Sequence, residues 1–335
     1  MKRLKVGLNG FGRIGRAFTR IATLRDSFDI VHINTRKTPT EMMAYLLKYD
    51  SVYRTFDKSI THTENSLVVD GKTIRTTLFD DPTQIPWGES EVDVVIDATG
   101  AFKTKEDLSK HLHDGVQKVL LTAPGKEDVC HIVLGVNDPD LSNEQVISNA
   151  SCTTNCSATL FKVLHDNFTV KTGFLTTAHA YTLSQSLLDD AGKKFDTSRA
   201  AALNIIPSTT GAAKAVARVI PELQGKIDGM AIRVPVPTGS FVDITANVEK
   251  PTTAEEINAI FKKASETTLK GKLGYTEDVI VSSDIIGSSY SAVFDPHYTT
   301  VIDGTFVKIY GWYDNEWGYS TRLVDVVEQL AGSIT

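Results

Sequence analysis

Cys152 stands in the run Ser151-Cys152-Thr153-Thr154-Asn155-Cys156. Ser151, Thr153 and Thr154 are residue types that start helices, so the thiol is expected at a helix N-terminus, where the dipole favours thiolate. A thiolate nucleophile works with a base. His179 closes the apolar run Gly173-Phe174-Leu175-Thr176-Thr177-Ala178, and a strand tip can reach a site; a purely structural histidine is the alternative. His111, His113 and His165 are expected on solvent-facing helix surfaces. Upstream, Gly10-Phe11-Gly12-Arg13-Ile14-Gly15 fits the G-x-G-x-x-G pattern between a strand and a helix. Its first glycine permits a tight turn, the second lets backbone approach a pyrophosphate, and the third lets helix and strand pack closely. The alternative is a structural turn. Together, a reactive thiol and a dinucleotide loop imply covalent catalysis coupled to hydride transfer.

The next element of the dinucleotide pattern is an acid at the end of the second strand, which would bind the ribose hydroxyls. Here that strand ends Asn34-Thr35-Arg36-Lys37. A neutral residue followed by two cations does not repel a ribose 2′-phosphate and can pair with it; two solvated surface charges are the bland reading. A phosphorylated substrate would need hydroxyls, backbone N–H groups and arginine. Ser208-Thr209-Thr210-Gly211-Ala212-Ala213-Lys214 offers such a turn before a helix, and Arg233 ends the apolar run Met230-Ala231-Ile232. Cys130, Cys152 and Cys156 are the three cysteines. Cys156 would share a helix face with Cys152, but no second pair stands at ligand spacing, so no metal is expected. Buried, inert thiols are the expectation for Cys130 and Cys156.

These residues must be positioned by 335 residues, enough for two domains. The first half alternates strand-like and helix-like runs. Leu4–Leu8, Ile30–Ile33, Val92–Ile96 and Val119–Leu121 read as buried strands, Arg13–Leu24 and Glu41–Tyr49 as helices. That alternation predicts a Rossmann-type doubly wound sheet. The second half carries a helix after Cys152 and longer strand-like runs at Thr172–Ala178, Ile227–Val234, Phe241–Val248 and Val301–Tyr310. It predicts an α+β catalytic domain with a mostly antiparallel sheet. Leu183–Ser198 reads as a long polar loop, and Tyr319–Leu330 as a terminal helix. Loops of that length are usually functional. Hydrophobic residues make up 41%, charged residues 23%, and the net charge is −6. Without a basic stripe, nucleic acid is not an expected partner. With no long apolar run and no signal-peptide core after Met1-Lys2-Arg3, neither is a membrane. Few, odd-numbered cysteines fit a reducing, cytoplasmic setting.

Taken in order, these motifs resemble phosphorylating glyceraldehyde-3-phosphate dehydrogenase nearly end to end. The resemblance rests on Asn9–Arg16, Ser148–Cys156, His179-Ala180-Tyr181-Thr182, Asn204–Pro207, Thr210–Lys214, Arg233-Val234-Pro235 and Trp312–Trp317. It implies Cys152 as nucleophile and His179 as its base. It implies Thr182 and Arg233 on the substrate's phosphate, and Ser151, Thr153, Thr210 and Gly211 on the attacking inorganic phosphate. The cofactor set is Gly10, Phe11, Gly12, Arg13, Ile14, Asn34, Thr35, Arg36, Lys37, Thr99 and Gly100, with Asn315 on the nicotinamide carboxamide and Thr122 and Tyr319 near the ring. Domain bounds of 1–151 with 318–335, and 152–317, follow, as does a homotetramer with residues 183–198 at a subunit contact.

Four places depart from the family: Thr35 for the usual acid, Leu183-Ser184-Gln185 for Gly-Asp-Gln, Asp196-Thr197-Ser198-Arg199 for an arginine-rich stretch, and Asp80 for an arginine near the adenine. The expected partners are glyceraldehyde 3-phosphate and inorganic phosphate, with NAD or NADP as cofactor and a lean to NADP. An erythrose-4-phosphate dehydrogenase is the nearest rival. A cysteine hydrolase using Cys152 and His179, and a binding protein without activity, are the rivals of other classes.

Overall fold

The computed structural model describes residues 3–126, 128–192, 194–332 and 334. Contacts divide the chain into two units. One runs to Ile132 and takes in Pro139–Ala150 and the tail from Ser320; the other holds Val133–Asp138 and Ser151–Tyr319.

The first unit contains β1 (Lys5–Asn9), α1 (Arg13–Arg25), β2 (Asp29–Thr35), α2 (Thr40–Lys48), β3 (Ile60–His62), β4 (Ser66–Val69), β5 (Lys72–Leu78), β6 (Val94–Asp97), α3 (Lys105–Ser109), β7 (Lys118–Leu121), β8 (Cys130–His131) and β9 (Val146–Ser148). They form one nine-stranded sheet in the order β3-β4-β5-β2-β1-β6-β7-β9-β8. All strands from β5 to β8 along that path pair in parallel; β3 and β4 add an antiparallel edge. Every residue of β6 and β7 is buried, as continuous apolar runs in a doubly wound sheet should be. The order reverses between β1 and β6, so the crevice for a ligand lies beyond the C-terminal ends of these two strands. Leu108, Val119, Leu121, Val129 and Val146 pack into one of the apolar clusters beside the sheet.

The second unit opens with α4 (Cys152–Phe168), followed by β10 (Val170–Ala180), β11 (Ile206–Thr209), α5 (Ala212–Val219), β12 (Ile227–Val234), β13 (Ser240–Val248), α6 (Ala254–Glu266), β14 (Leu273–Tyr275), β15 (Ala292–Phe294), β16 (Thr300–Ile302) and β17 (Phe306–Tyr313). Its sheet runs β11-β12-β10-β13-β17-β15-β14, with β16 on β17. Most pairs are antiparallel, but β10–β12 and β14–β15 are parallel. Phe261 of α6 stacks on Phe294 of β15 at 4.0 Å. The last helix, α7 (Trp317–Ala331), begins in this unit's sequence and ends in the other's, where Arg25 of α1 pairs with Asp325 and Glu328.

Several expectations change. Val301–Tyr310 is not one strand but a hairpin, because Asp303 (φ 51°) and Gly304 (φ 67°) adopt the left-handed geometry of an Asp-Gly turn. His111 is buried rather than solvent-facing: its Nδ1 accepts from Trp87 at 3.3 Å and its Nε2 faces Asp97 at 3.3 Å. His113 and His165 are half-buried, and His165 Nδ1 accepts the Val170 N–H, closing the end of α4. The described residues of 183–198 form a loop without strand or helix, but not a uniformly polar one. Leu183, Leu187, Leu188 and Phe195 are exposed, Phe195 almost entirely at 98%. Lys193, within this loop, lies outside the described residues. Among the described residues no helix is long and apolar enough to cross a membrane, and no group of three or more His, Cys, Asp or Glu side chains could hold a metal ion.

Candidate active site

Ser151 caps α4: its Oγ accepts the Thr154 N–H at 3.1 Å and meets Thr154 Oγ1 at 2.7 Å. Cys152 is therefore the first residue of a 17-residue helix, with no acid in the first turn to oppose the dipole. Its Sγ lies 3.4 Å from His179 Nε2. His179 sits one residue from the end of β10, a strand paired on both sides, and is 5% exposed. On the far side of the ring, His179 Nδ1 is 2.7 Å from the Ala180 carbonyl and 2.7 Å from Arg233 Nη1. Arg233 is the direct register partner of His179 across the parallel β10–β12 pair.

The charge balance differs from the thiolate expected of a helix N-terminus. Burial pushes the Cys152 thiol up, opposed by the Arg233 charge and by hydrogen bonds from Thr153. Burial, and then Arg233, push His179 down to about 3. Both shifts run against a thiolate–imidazolium pair. Cys156 is fully buried, its Sγ 3.9 Å from the Gly311 carbonyl, and burial pushes its thiol well up. Cys130 is half-exposed rather than buried, and burial raises its thiol as well.

The other substrate candidates divide. Thr153 Oγ1 bonds Tyr313 Oη at 3.0 Å. Thr182 Oγ1 is engaged with Ser184 Oγ at 2.8 Å, a consequence of the Leu183-Ser184-Gln185 departure. Thr210 Oγ1 accepts the Ala212 N–H, and Gly211 caps α5 with open space where a Cβ would project. Lys194, not singled out in the sequence, reaches Thr209 Oγ1 at 3.4 Å beside that turn.

In the first unit the three glycines have three different geometries. Gly10 has φ +100°, and a Cβ there would meet the Ala98 carbonyl group at 2.8 Å. That closeness joins the loop after β1 to the loop after β6, which carries Thr99 and Gly100. A Cβ on Gly15 would lie 2.4 Å from the Gly10 carbonyl oxygen. A Cβ on Gly12 would meet nothing within 4 Å. Gly12 is also the N-cap of α1, with no side-chain cap and no acid in the first turn. An open cradle at a helix N-terminus fits a pyrophosphate. Phe11 is buried and Ile14 follows in the first turn. Arg13 turns its guanidinium to Asp50 and the Tyr53 ring.

Asn34 is a strut rather than a free ligand. Its amide donates to Asn9 and the Phe79 carbonyl, and its Oδ1 accepts from Thr77 and the Phe79 N–H. Thr35 Oγ1 donates to the Thr38 carbonyl. Arg36 Nε pairs with Asp80 at 2.8 Å, both side chains largely exposed, and Lys37 is exposed beside it. Thr122 extends the strand end through a 3.0 Å bond from its N–H to the Asp97 carbonyl.

The comparisons with known proteins agree with these two halves. The family model described as "Glyceraldehyde 3-phosphate dehydrogenase, NAD binding domain" matches residues 4–105, and "Glyceraldehyde 3-phosphate dehydrogenase, C-terminal domain" matches residues 151–315. Similar curated proteins are glyceraldehyde-3-phosphate dehydrogenase 2 of Streptomyces avermitilis, 52% identical over 96% of this chain and 97% of its own, and the enzyme of Borreliella burgdorferi, 50% identical over 98% and 99%. Glyceraldehyde-3-phosphate dehydrogenase 1 of Bacillus subtilis is 48% identical over 98% of both chains. The chain belongs to the glyceraldehyde-3-phosphate dehydrogenase family. It is an oxidoreductase with a nicotinamide-dinucleotide-binding domain.

Around this candidate site, sequence reasoning missed the residues that orient others. Asn315 Oδ1 accepts from Ser240 Oγ at 2.9 Å and from Thr238 Oγ1 at 3.2 Å. Ser240 Oγ in turn accepts the Ala180 N–H. With its oxygen satisfied inward, the Asn315 amide has its NH₂ left to donate. Tyr313 Oη bonds both Thr153 and Thr177, at 3.0 and 2.9 Å. Tyr319 is buried at the start of α7. Thr238 and Ser240 flank Gly239 in a short polar turn, the one local signal available.

Gly12→Ala should leave the thermal midpoint unchanged and weaken dinucleotide binding at least about tenfold, whereas Gly15→Ala should lower the midpoint itself. Calorimetry on both variants separates the two roles; equal effects would refute the cradle. Acid sensitivity follows from burial, which holds His32 at about 4 and His179 at about 3. An unfolded histidine titrates near about 6.5, so in that window the unfolded chain binds more protons and stability rises with pH. The stability is present at neutral pH and is lost as pH falls from about 6.5 through about 4 and about 3. Urea midpoints at about pH 7 and about pH 4.5 should differ in that sense, and His32→Gln with His179→Asn should narrow the gap.

Proposed function

We propose that the protein oxidises glyceraldehyde 3-phosphate with inorganic phosphate to 1,3-bisphosphoglycerate, a glycolytic step, through a thioester on Cys152. The observation that carries this reading is the Cys152 Sγ–His179 Nε2 contact of 3.4 Å at the head of α4, in a chain that also builds an open dinucleotide cradle. His179 takes the thiol proton as sulfur adds to the aldehyde carbon. The hemithioacetal oxygen then faces the Cys152 N–H and His179 as donors. A bound nicotinamide supplies the acceptor for the hydride. Gly10, Phe11, Gly12, Arg13, Ile14, Thr99 and Gly100 would hold the cofactor, with Thr122 and Tyr319 near the ring and Asn315 on the carboxamide. Inorganic phosphate, held by Ser151, Thr153, Thr210 and Gly211, attacks the thioester and frees the Cys152 thiolate. Thr182 and Arg233 hold the substrate's own phosphate.

The named relatives and the Thr210–Lys214 turn favour the triose phosphate over erythrose 4-phosphate. Growth of reduced-nicotinamide absorbance with each aldehyde, with and without phosphate and under both cofactors, tests the reading. No signal with the triose phosphate, or faster turnover of erythrose 4-phosphate, would sink it.

Cys152 should be the first thiol alkylated by a stoichiometric reagent, since Cys156 is sealed off. His179→Asn should slow that alkylation near neutral pH and cut turnover by about 10²–10⁴-fold. Labelling at Cys156 first, or near-normal turnover in the variant, would remove the pair from the mechanism.

Cofactor choice is proposed as dual, with a lean to NADP. Thr35 neither binds ribose hydroxyls as a carboxylate would nor repels a 2′-phosphate. Arg36 is paired with Asp80, but an exposed pair is worth under about 1 kcal/mol, whereas a hydrogen bond to a charged group contributes about 1.5–3 kcal/mol. Thr35→Asp should move preference toward NAD, and Asp80→Ala, which frees Arg36, should strengthen NADP. Strong NAD preference in steady-state kinetics of the unaltered protein would overturn the lean.

The exposed Leu183, Leu187, Leu188, Phe195, Leu203 and Ile205 support a homotetramer with this loop at a subunit contact. Light scattering should give four subunits; a stable monomer is the contrary result.

A further inference from the structure

The Thr210-Gly211 turn, where inorganic phosphate is proposed to sit, offers a hydroxyl and a helix end, neither of which carries a full charge. Thr209 closes β11, and Thr210 and Gly211 lead into α5, whose first turn holds no acid. A Cβ on Gly211 would meet nothing within 4 Å, so the space in front of the turn is open. A phosphate is held best where charge is added to neutral donors. Arg233 is not placed to add it here. It pairs in register with Ile206, whereas Thr209 pairs with Met230, three residues or about 10 Å along the strand. Its guanidinium is engaged there with His179 Nδ1 and the Ala180 carbonyl. Lys194 is placed to add it. Its Nζ reaches Thr209 Oγ1 at 3.4 Å, and no acid pairs with it among the described residues. The backbone of Lys194 is fixed by its own loop. Its carbonyl accepts the Ser198 N–H at 3.1 Å, the Ser198 hydroxyl at 2.7 Å and the Thr197 hydroxyl at 3.4 Å. Ser198 Oγ also accepts the Gly192 N–H, which closes the loop around this point. Arg199, the next cation along, is paired with Asp189 at 2.8 Å. Phe195 is almost fully exposed, so the loop presents that ring outward and brings Lys194 back onto its own chain.

We propose that Lys194 is a binding residue for the attacking inorganic phosphate and supplies the charge that the Thr210-Gly211 turn lacks. This rests on the reading of that turn as part of the phosphate site. The ammonium leaves the Thr209 hydroxyl, an exposed contact near the limit of hydrogen-bond length, for a phosphate oxygen. An ammonium donates through three N–H groups on a flexible stem, so it can follow the anion without a fixed fork geometry. Oxidation of the aldehyde precedes the arrival of phosphate. The charge of Lys194 therefore acts on phosphate capture and leaves thioester formation untouched. It sets KM for phosphate and not KM for the aldehyde.

The test uses the full protein with inorganic phosphate as the probe. Lys194→Gln keeps a donor for Thr209 and drops the charge. It should raise KM for phosphate about tenfold and leave KM for glyceraldehyde 3-phosphate within about twofold, on the scale of one hydrogen bond to a charged group. Lys194→Arg, which keeps the charge, should recover most of the loss. In a single turnover without phosphate, the burst of reduced nicotinamide should have the same rate and amplitude in the unaltered protein and in Lys194→Gln. Added salt should raise the phosphate KM of the unaltered protein more steeply than that of Lys194→Gln, because an exposed charge is screened. An unchanged phosphate KM in Lys194→Gln overturns the proposal. So does a loss that Lys194→Arg fails to recover, since the lysine would then serve the loop rather than the anion. A slowed burst in Lys194→Gln overturns it as well, by placing the charge on the oxidation step. If Thr210→Ala raises the phosphate KM and Lys194→Gln does not, the phosphate site stands and the lysine is no part of it. If phosphate does not accelerate turnover of the unaltered protein at all, the phosphate reading falls and the role of Lys194 with it.

Discussion

A thiol and an imidazole from distant parts of a chain react only if something fixes the gap between them, and here that is a buried phenol. Tyr313, 2% exposed at the end of β17, donates to or accepts from Thr153 and Thr177 at once. Thr153 is the neighbour of Cys152, and Thr177 stands two residues before His179, on the same face of β10. One hydroxyl therefore ties the first turn of α4 to the end of β10. The ring also meets the His179 ring at 75°. Misplacement of reacting groups by a single ångström is costly, and this strut limits it. β13, central in the sheet between β10 and β17, transmits the same register to both strands.

The polar groups behind the site form a second constraint. Ser240 passes a hydrogen bond from the Ala180 N–H to Asn315, so the residue after His179 and the amide expected to meet the cofactor share one hydroxyl. Asp314 then accepts from Thr238, Gly287, Glu316 and Trp317, pinning the turn that leads into α7. Buried networks of this kind are costly when half satisfied, and each member here serves as partner to another. Ala150, at φ 52°, is the residue before the Ser151 cap. A non-glycine residue in that region stores strain of order 1–3 kcal/mol, at the point where the chain turns from Ser148 toward Cys152.

What was legible in the sequence was what is local. The runs Val94–Ile96 and Val119–Leu121 lie in fully buried parallel strands, and the spacing of Gly10, Gly12 and Gly15 maps onto a forced turn, an open cradle and a close approach. Ser151 caps its helix as its residue type suggests. Pairings across the fold were not legible. Nothing near Asn34 announces that Thr77 and Phe79, more than forty positions on, consume its amide. Arg36 and Asp80 were both noticed, one as a cation and one as a departure from the family, but not as partners. His111 looked exposed because its neighbours are polar; it is buried because Trp87, Asn9 and Asp97 come to it from three other segments. The Val301–Tyr310 hairpin is the exception, since its Asp-Gly signal was present and outweighed by the apolar run around it.

The electrostatics of the site follow from depth rather than from the helix end alone. A dipole at a helix terminus is worth about 0.3–1 kcal/mol at exposed positions, and each pKa unit corresponds to about 1.4 kcal/mol. Burial acts on both Cys152 and His179 in the direction that keeps them neutral, and Arg233 helps the thiol while opposing the imidazolium. The same cation therefore pushes the two halves of the pair in opposite senses.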